Sequence, residues 1–193
     1  METYYSLLNK VTTYFNDMAC EDCCHEQCSF DEELCRSWIV HTFHVFTLCG
    51  TFIDLLGASI KQANKEMLLF SAILHDIAKP IDNDEQNNKQ HLLRAFAEAS
   101  ITIPPGHLDS ICSIIGAHKS GAFDPPRELA AESAILRICD KLDKFRVGSE
   151  EAEMVCEGSK DLIVEYFDSN SLSREREELE KIFYIMKKFA TLY

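Results

Sequence analysis

Basic residues are scarce in this sequence: 19 Lys and Arg stand against 32 Asp and Glu, for a formal net charge of −13. Binding to a nucleic-acid backbone rests on clustered Lys and Arg that neutralise phosphates, so nucleic acid is excluded as the main partner. An anionic small substrate would be repelled too unless something locally positive offset the acidic surface, and bound metal ions are the obvious candidates. Long apolar runs are missing. The longest, such as Met67 to Leu74 and Ile111 to Ile115, fall well short of the roughly 20 residues of a membrane-spanning helix, so no span is expected. The start, Met1-Glu2-Thr3-Tyr4-Tyr5, lacks a basic stretch leading into an apolar one. No secretory signal is read there, and the cytoplasm is the expected location. Apolar residues nowhere alternate with polar ones for more than a few positions, which argues against a sheet. There is no internal repeat and no low-complexity run.

What is present is helical spacing almost throughout, so the expected class is all-α. With 46% hydrophobic residues and 12 Phe, the 193 residues can bury a sizeable core, and the length suits one domain over residues 1–193. A first helix is expected from Glu2 to Asn16, then a Cys-rich connector from Cys20 to Cys28. Asp31 is the candidate N-cap of a long helix to Leu56, stopped by Gly57, with Trp38, His41, Val45, Leu48 and Phe52 along its buried stripe. A third helix runs from about Asn64 through Leu74 and must end before Pro80, which would cost it a hydrogen bond and clash with the preceding turn. Ile81 to Gln90 reads as a loop, and His91 to Ala99 as a helix. Pro104-Pro105-Gly106 marks the start of a helix into His118 that breaks at Ser120-Gly121. Pro125-Pro126 opens another, Arg127 to about Phe145, and Ser149 to Tyr193 gives two more.

Two stretches carry chemistry. In Leu74-His75-Asp76-Ile77-Ala78-Lys79 an apolar helix delivers an imidazole and a carboxylate inward, where an ionised carboxylate needs a cation; the alternative is a helix end that simply reaches solvent. Asp140 sits in the mostly apolar helix Ala134-Ile135-Leu136-Arg137-Ile138-Cys139-Asp140-Lys141-Leu142. His41 adds an imidazole on the buried stripe of the long helix, although lone core histidines are usually satisfied by ordinary hydrogen bonds.

The order His, then His-Asp, then Asp resembles the HD superfamily of metal-dependent phosphohydrolases. His41-Thr42-Phe43-His44-Val45 resembles its first motif, Leu74 to Lys79 its second, and Ile138-Cys139-Asp140-Lys141-Leu142-Asp143 its last, so that the likeness spans about Asp31 to Arg146. The resemblance implies a helical HD bundle with the N-terminal helix and Cys-rich connector (1–30) and the C-terminal helices (149–193) outside the motif core. It implies His41, His75, Asp76 and Asp140 as metal ligands, with His44 a neighbour in packing or an outer group. The subset with two ions carries two further histidines between the second and last motifs, here His91 and His118, while His107 follows a Pro-Pro-Gly turn and reads as solvated. Asp76 would then bridge the ions and share the catalytic work, and Lys79 and Arg146 would be the cations nearest substrate phosphate or leaving group.

The implied activity is hydrolysis of a phosphoester or phosphoanhydride bond in a small phosphorylated substrate, a nucleotide or dinucleotide, with water activated between one or two divalent ions, iron or manganese. His118 with Gly121, and Asp140 with Arg146, look like the family that symmetrically cleaves diadenosine tetraphosphate. HD-type di-iron oxygenases share the ligand set, and a non-catalytic metal or nucleotide-binding protein is the third alternative. Nine cysteines are an odd count, and Cys49, Cys112 and Cys139 sit inside apolar helical patterns, which favours reduced thiols. Cys20, Cys23, Cys24, His25, Cys28 and Cys35 have the residue types of a zinc site at irregular spacing, and are read either as that or as free thiols. Ser173 to Tyr193 places Leu179, Ile182, Phe183, Met186 and Phe189 at helical spacing, as ordinary core or a homodimer surface.

Overall fold

The computed structural model describes residues 3–22, 32–56, 62–82, 88–104, 106–118 and 126–146, together with 160–161, 164, 168, 181, 183–185 and 188. The chain is all-α, with no strand among the described residues. The helices are α1 (Tyr4–Asp22), α2 (Glu32–Leu56), α3 (Gln62–Leu74), α4 (Lys89–Glu98), α5 (Leu108–His118) and α6 (Ala130–Arg146), the last preceded by a 3-10 turn, Arg127–Leu129. α1 runs six residues beyond the expected end at Asn16, into the Cys-rich connector. Asp31, Gly57, Ser120 and Gly121, and the side chains of Cys20, Cys23, Cys24, His25, Cys28 and Cys35, lie outside the described residues.

α2 is the central helix, packed against α1, α3 and α6; α3 also packs on α5 and α6. Val45, Cys49 and Phe52 of α2 join Leu68 of α3 and Ile135, Ile138, Cys139 and Leu142 of α6 in one apolar cluster. Leu7, Val11 and Phe15 of α1 join Trp38, Phe70, Ile73, Leu74, Leu92, Phe96, Ile111 and Ile115 in a second. Cys49, Cys112 and Cys139 are buried free thiols. The segment Arg36–Leu55 is long and apolar enough, by length and composition, to cross a membrane. Counting uninterrupted apolar runs overlooks it because His41, His44 and three threonines break the run. Here its Trp38, Val45, Cys49 and Phe52 are buried in the bundle.

The strand-free turns are closed by local chemistry. Asn88 caps α4, its side chain accepting from the Gln90 amide at 2.9 Å. At the other end Ile101 N–H donates to the Phe96 carbonyl at 2.8 Å and Ser100 N–H to Ala97 at 3.1 Å, the paired bonds of a Schellman motif, which requires the left-handed φ of 52° found at Ser100. Ser100→Gly is therefore expected to raise stability by about 0.5–1 kcal/mol, relief of left-handed strain exceeding the extra freedom of an unfolded glycine. Urea denaturation reads this directly, and an unchanged midpoint would contradict it.

In the first turn of α6, Glu132 is fully buried, and neither carboxylate oxygen has a hydrogen-bond partner. Burial is the largest influence on its pKa and pushes it up. Because the folded pKa is raised, the ionised carboxylate costs stability above the unfolded value and none well below it. Glu132→Gln is expected to stabilise the protein by about 1–3 kcal/mol at pH 7, with the advantage shrinking as pH falls toward the ordinary carboxylate range. Melts of both proteins at pH 7 and pH 5 check the sign.

Candidate metal centre

Four helices bring their polar residues to one place inside the bundle. His41 lies on α2 one turn before the buried Val45. α3 is buried from Phe70 to Leu74 and ends at Leu74. The chain then tightens through Ile77 N–H to Leu74 O (3.1 Å) and Lys79 N–H to Asp76 O (3.0 Å) before Pro80, so that His75 and Asp76 follow the helix C-terminus and stay buried. Asp140 projects from α6 with 2% exposure, and His118 closes α5 with 3%.

The His75 Nε2 lies 3.1 Å from His41 Nε2, Asp140 Oδ1 3.1 Å from it, and Asp76 Oδ2 3.4 Å. His75 Nδ1 donates to the Ala72 carbonyl at 2.8 Å, so its Nε2 is an acceptor when the ring is neutral. Three acceptors thus converge on one His41 nitrogen, which carries at most one proton. A cation would satisfy all of them, and the donor set fits a divalent metal on that ground. One ligand atom each of His41, His75 and Asp140 lie within 4.8 Å of one another, close enough to hold an ion. His118 stands edge-on to His75, ring centroids 5.3 Å apart, with its Nδ1 donating to Ile115 O at 2.5 Å, so that in the neutral ring Nε2 carries the lone pair.

A model of the HD domain family matches residues 38–144, more than half of the chain. The chain belongs to the HD domain family. No curated protein and no solved structure gives a significant match to it. The HD region runs from Trp38 on α2 to Lys144 near the end of α6 and so contains the whole cluster.

The charges of this HD centre are set by each other. Burial drives the His41 imidazole down, but the hydrogen bonds it donates to Asp140 and Asp143 and the charges of Asp76 and Asp140 outweigh it and lift the pKa to about 9. Burial raises the Asp76 carboxyl, but the charges of His75, Lys79 and His41 and the His75 hydrogen bond hold it well below the usual carboxylate range. Burial, then the charge of His75, pushes His118 down to about 4, so it is neutral at pH 7. The His41 proton occupies the place a cation would take, and a metal ion bound there would have to displace it. Apparent metal affinity is therefore expected to rise about tenfold per pH unit from pH 7 and to level off near the His41 value of about 9. Calorimetric titration with Mn2+ at several pH values measures the slope; a flat profile would remove His41 from the ligand set.

The structure distributes the other expected site residues unevenly. Lys79 Nζ pairs with Asp76 Oδ2, which puts its ammonium at the centre. Arg146 is the last residue of α6, and its side chain lies outside the described residues. His91 stands half-buried in the first turn of α4 and does not enter the group of converging ligand atoms. His107 is half-buried, with a buried Nδ1 that has no hydrogen-bond partner, rather than solvated. His44 is 44% exposed in its side chain and pairs with Asp143 at 2.9 Å, so it is not a packing residue. Sequence reasoning missed Asp143 and Lys141, whose Nζ lies 2.8 Å from Asp140 Oδ2. The signal was available in part: His41 and His44, and Asp140 and Asp143, share the same three-residue step, which puts each pair on one helix face.

Proposed function

We propose that this HD protein is a metal-dependent phosphohydrolase that cleaves a phosphoester or phosphoanhydride bond in a small phosphorylated substrate, a nucleotide or dinucleotide. The observation that carries the reading is the convergence of His75 Nε2, Asp140 Oδ1 and Asp76 Oδ2 on His41 Nε2 within 3.1–3.4 Å. His41, His75, Asp76 and Asp140 would hold a first ion, and His118 with His91 a second. Nitrogen and oxygen donors without thiolate suit iron or manganese. Bound there, such ions supply Lewis-acid polarisation of the phosphoryl group and an activated water.

The chain's own residues do the rest. His75 and His118 each donate Nδ1–H to a backbone carbonyl, three residues back in sequence, which locks the rings with Nε2 inward. Lys79 and Lys141 bring ammonium groups onto Asp76 and Asp140, and Lys79 is the cation assigned to meet a substrate phosphate. Leu74, Ile77 and Ala78 are buried around the ligands and keep bulk water from one side of them. In an acidic protein this local positive charge gives an anion a place to bind.

The test joins elemental analysis of the purified protein with a screen of nucleotides, dinucleotides and phosphodiesters, in Mn2+ and in Fe2+, for released phosphate or nucleotide. Bound transition metal and turnover of a phosphorylated compound are expected. Absence of metal after reconstitution would overturn the reading, and oxygen uptake by the iron-loaded protein without phosphate release would replace it with an oxygenase.

A further inference from the structure

Asp143 lies on α6 three residues beyond Asp140, 5% exposed, and its carboxylate is shared between two imidazoles of α2. Oδ2 is 2.7 Å from His41 Nδ1, and Oδ1 is 2.9 Å from His44 Nδ1. An ionised carboxylate only accepts, so both Nδ1 atoms donate. A proton held on His41 Nδ1 leaves Nε2, in the neutral ring, as the lone pair directed at the centre. That is the tautomer a metal ligand needs.

One donor fixes one oxygen of a carboxylate but not its plane, because the terminal torsion of Asp is broad. Two donors on the two oxygens fix the plane as well. α2 supplies both from positions 41 and 44, one helical turn apart on the same face, and α6 presents the acceptor between them. His75 and His118 need no such arrangement, since each is held by a backbone carbonyl that cannot rotate. His41 sits in mid-helix, where the carbonyls are already engaged, and its orientation has to come from a side chain.

We infer that Asp143 and His44 form a positioning pair for the metal centre: His44 clamps the Asp143 carboxylate, and Asp143 sets the ring and tautomer of His41. This rests on the reading of His41 as a metal ligand. Neither residue touches the ion; both act through His41. His44 is half-exposed, so replacing it leaves the apolar core intact.

Full-length protein is titrated with Co2+, whose visible absorption reports ligand geometry, alongside His44→Leu, His44→Asn, Asp143→Ala and the control His75→Ala. Asp143→Ala is expected to weaken Co2+ binding by about 10–100-fold, and His44→Leu by roughly tenfold with an altered Co2+ spectrum, because an outer partner of a ligating His typically contributes that much. His44→Asn, which keeps an N–H donor near the position of Nδ1, is expected to restore both affinity and spectrum, while melting temperatures of the metal-free His44 variants match the parent. If the parent binds Co2+ and His75→Ala does not, yet His44→Leu binds with parental affinity and spectrum, the pair is refuted and the centre stands. If His44→Leu and His44→Asn weaken binding equally, the hydrogen bond to Asp143 is not the cause and the inference fails. A parent protein that binds no Co2+ would overturn the metal reading and this pair with it.

Discussion

Asp76→Asn should abolish metal retention and phosphohydrolysis together, by well over the 10–100-fold typical of an outer partner, while the protein remains folded. Asp76 is 2% exposed, and its Oδ2 is within ion-pair distance of His41 (3.4 Å), His75 (3.3 Å) and Lys79 at once. Neighbouring charge and hydrogen bonding outweigh the desolvation of the buried carboxylate and keep it ionised. The Asn side chain fills the same volume and keeps one acceptor oxygen, so packing around Leu74 and Ile77 survives. What disappears is the negative charge, which compensates a divalent cation and is the feature a neutral amide cannot reproduce. Elemental analysis, turnover of the best substrate and a thermal melt should be measured on one preparation. Retained metal with lost turnover would make Asp76 a reacting group rather than a ligand. Retained metal with retained turnover would move the centre elsewhere.

The helices were legible because their apolar stripes are regular and their punctuation is local: Pro80 limits α3, and Pro104 to Gly106 and Pro126 precede α5 and α6. α1 ran past its expected end because Asp17 and Met18 continue a helix as readily as they stop one, and the sequence shows no glycine or proline there. The start of α4 moved two residues earlier because its cap is Asn88, whose side-chain bond to the Gln90 amide is invisible in a polar loop. The buried polar cluster was legible where a polar residue interrupts an apolar helix, as His41 and Asp140 do, or stands at the end of one, as His75, Asp76 and His118 do. Asp143 and Lys141 were not, because near a helix end a charged residue is ordinarily solvated, and only the facing helix α2 turns Asp143 into the partner of His41 and His44. For His91 the place in the order of histidines suggests a ligand, and order along the chain alone does not fix where the first turn of α4 lies relative to α3 and α6.

That makes the number of ions the sharpest remaining measurement, since one ion and two predict different results for His118→Ala and His91→Ala. His118 is fully within the bundle, its ring 5.3 Å from that of His75 and its Nδ1 anchored on Ile115 O. With its pKa pushed down to about 4 by burial it presents a neutral ring at pH 7. Under the two-ion proposal His118→Ala loses about half the bound metal, and turnover falls by roughly 100-fold or more, since a single ion cannot steady both the attacking and the leaving oxygen. His91→Ala should do the same if α4 brings its imidazole to the second ion. The contrast between the two variants is therefore informative. Loss of metal with His118→Ala but not with His91→Ala gives a centre built by α2, α3, α5 and α6 alone, with water or substrate completing the second ion's shell. Unchanged metal content and near-normal turnover in both variants would leave a single ion on His41, His75, Asp76 and Asp140. Metal counting per folded chain, paired with a calorimetric melt to confirm that each variant is folded, separates the three outcomes.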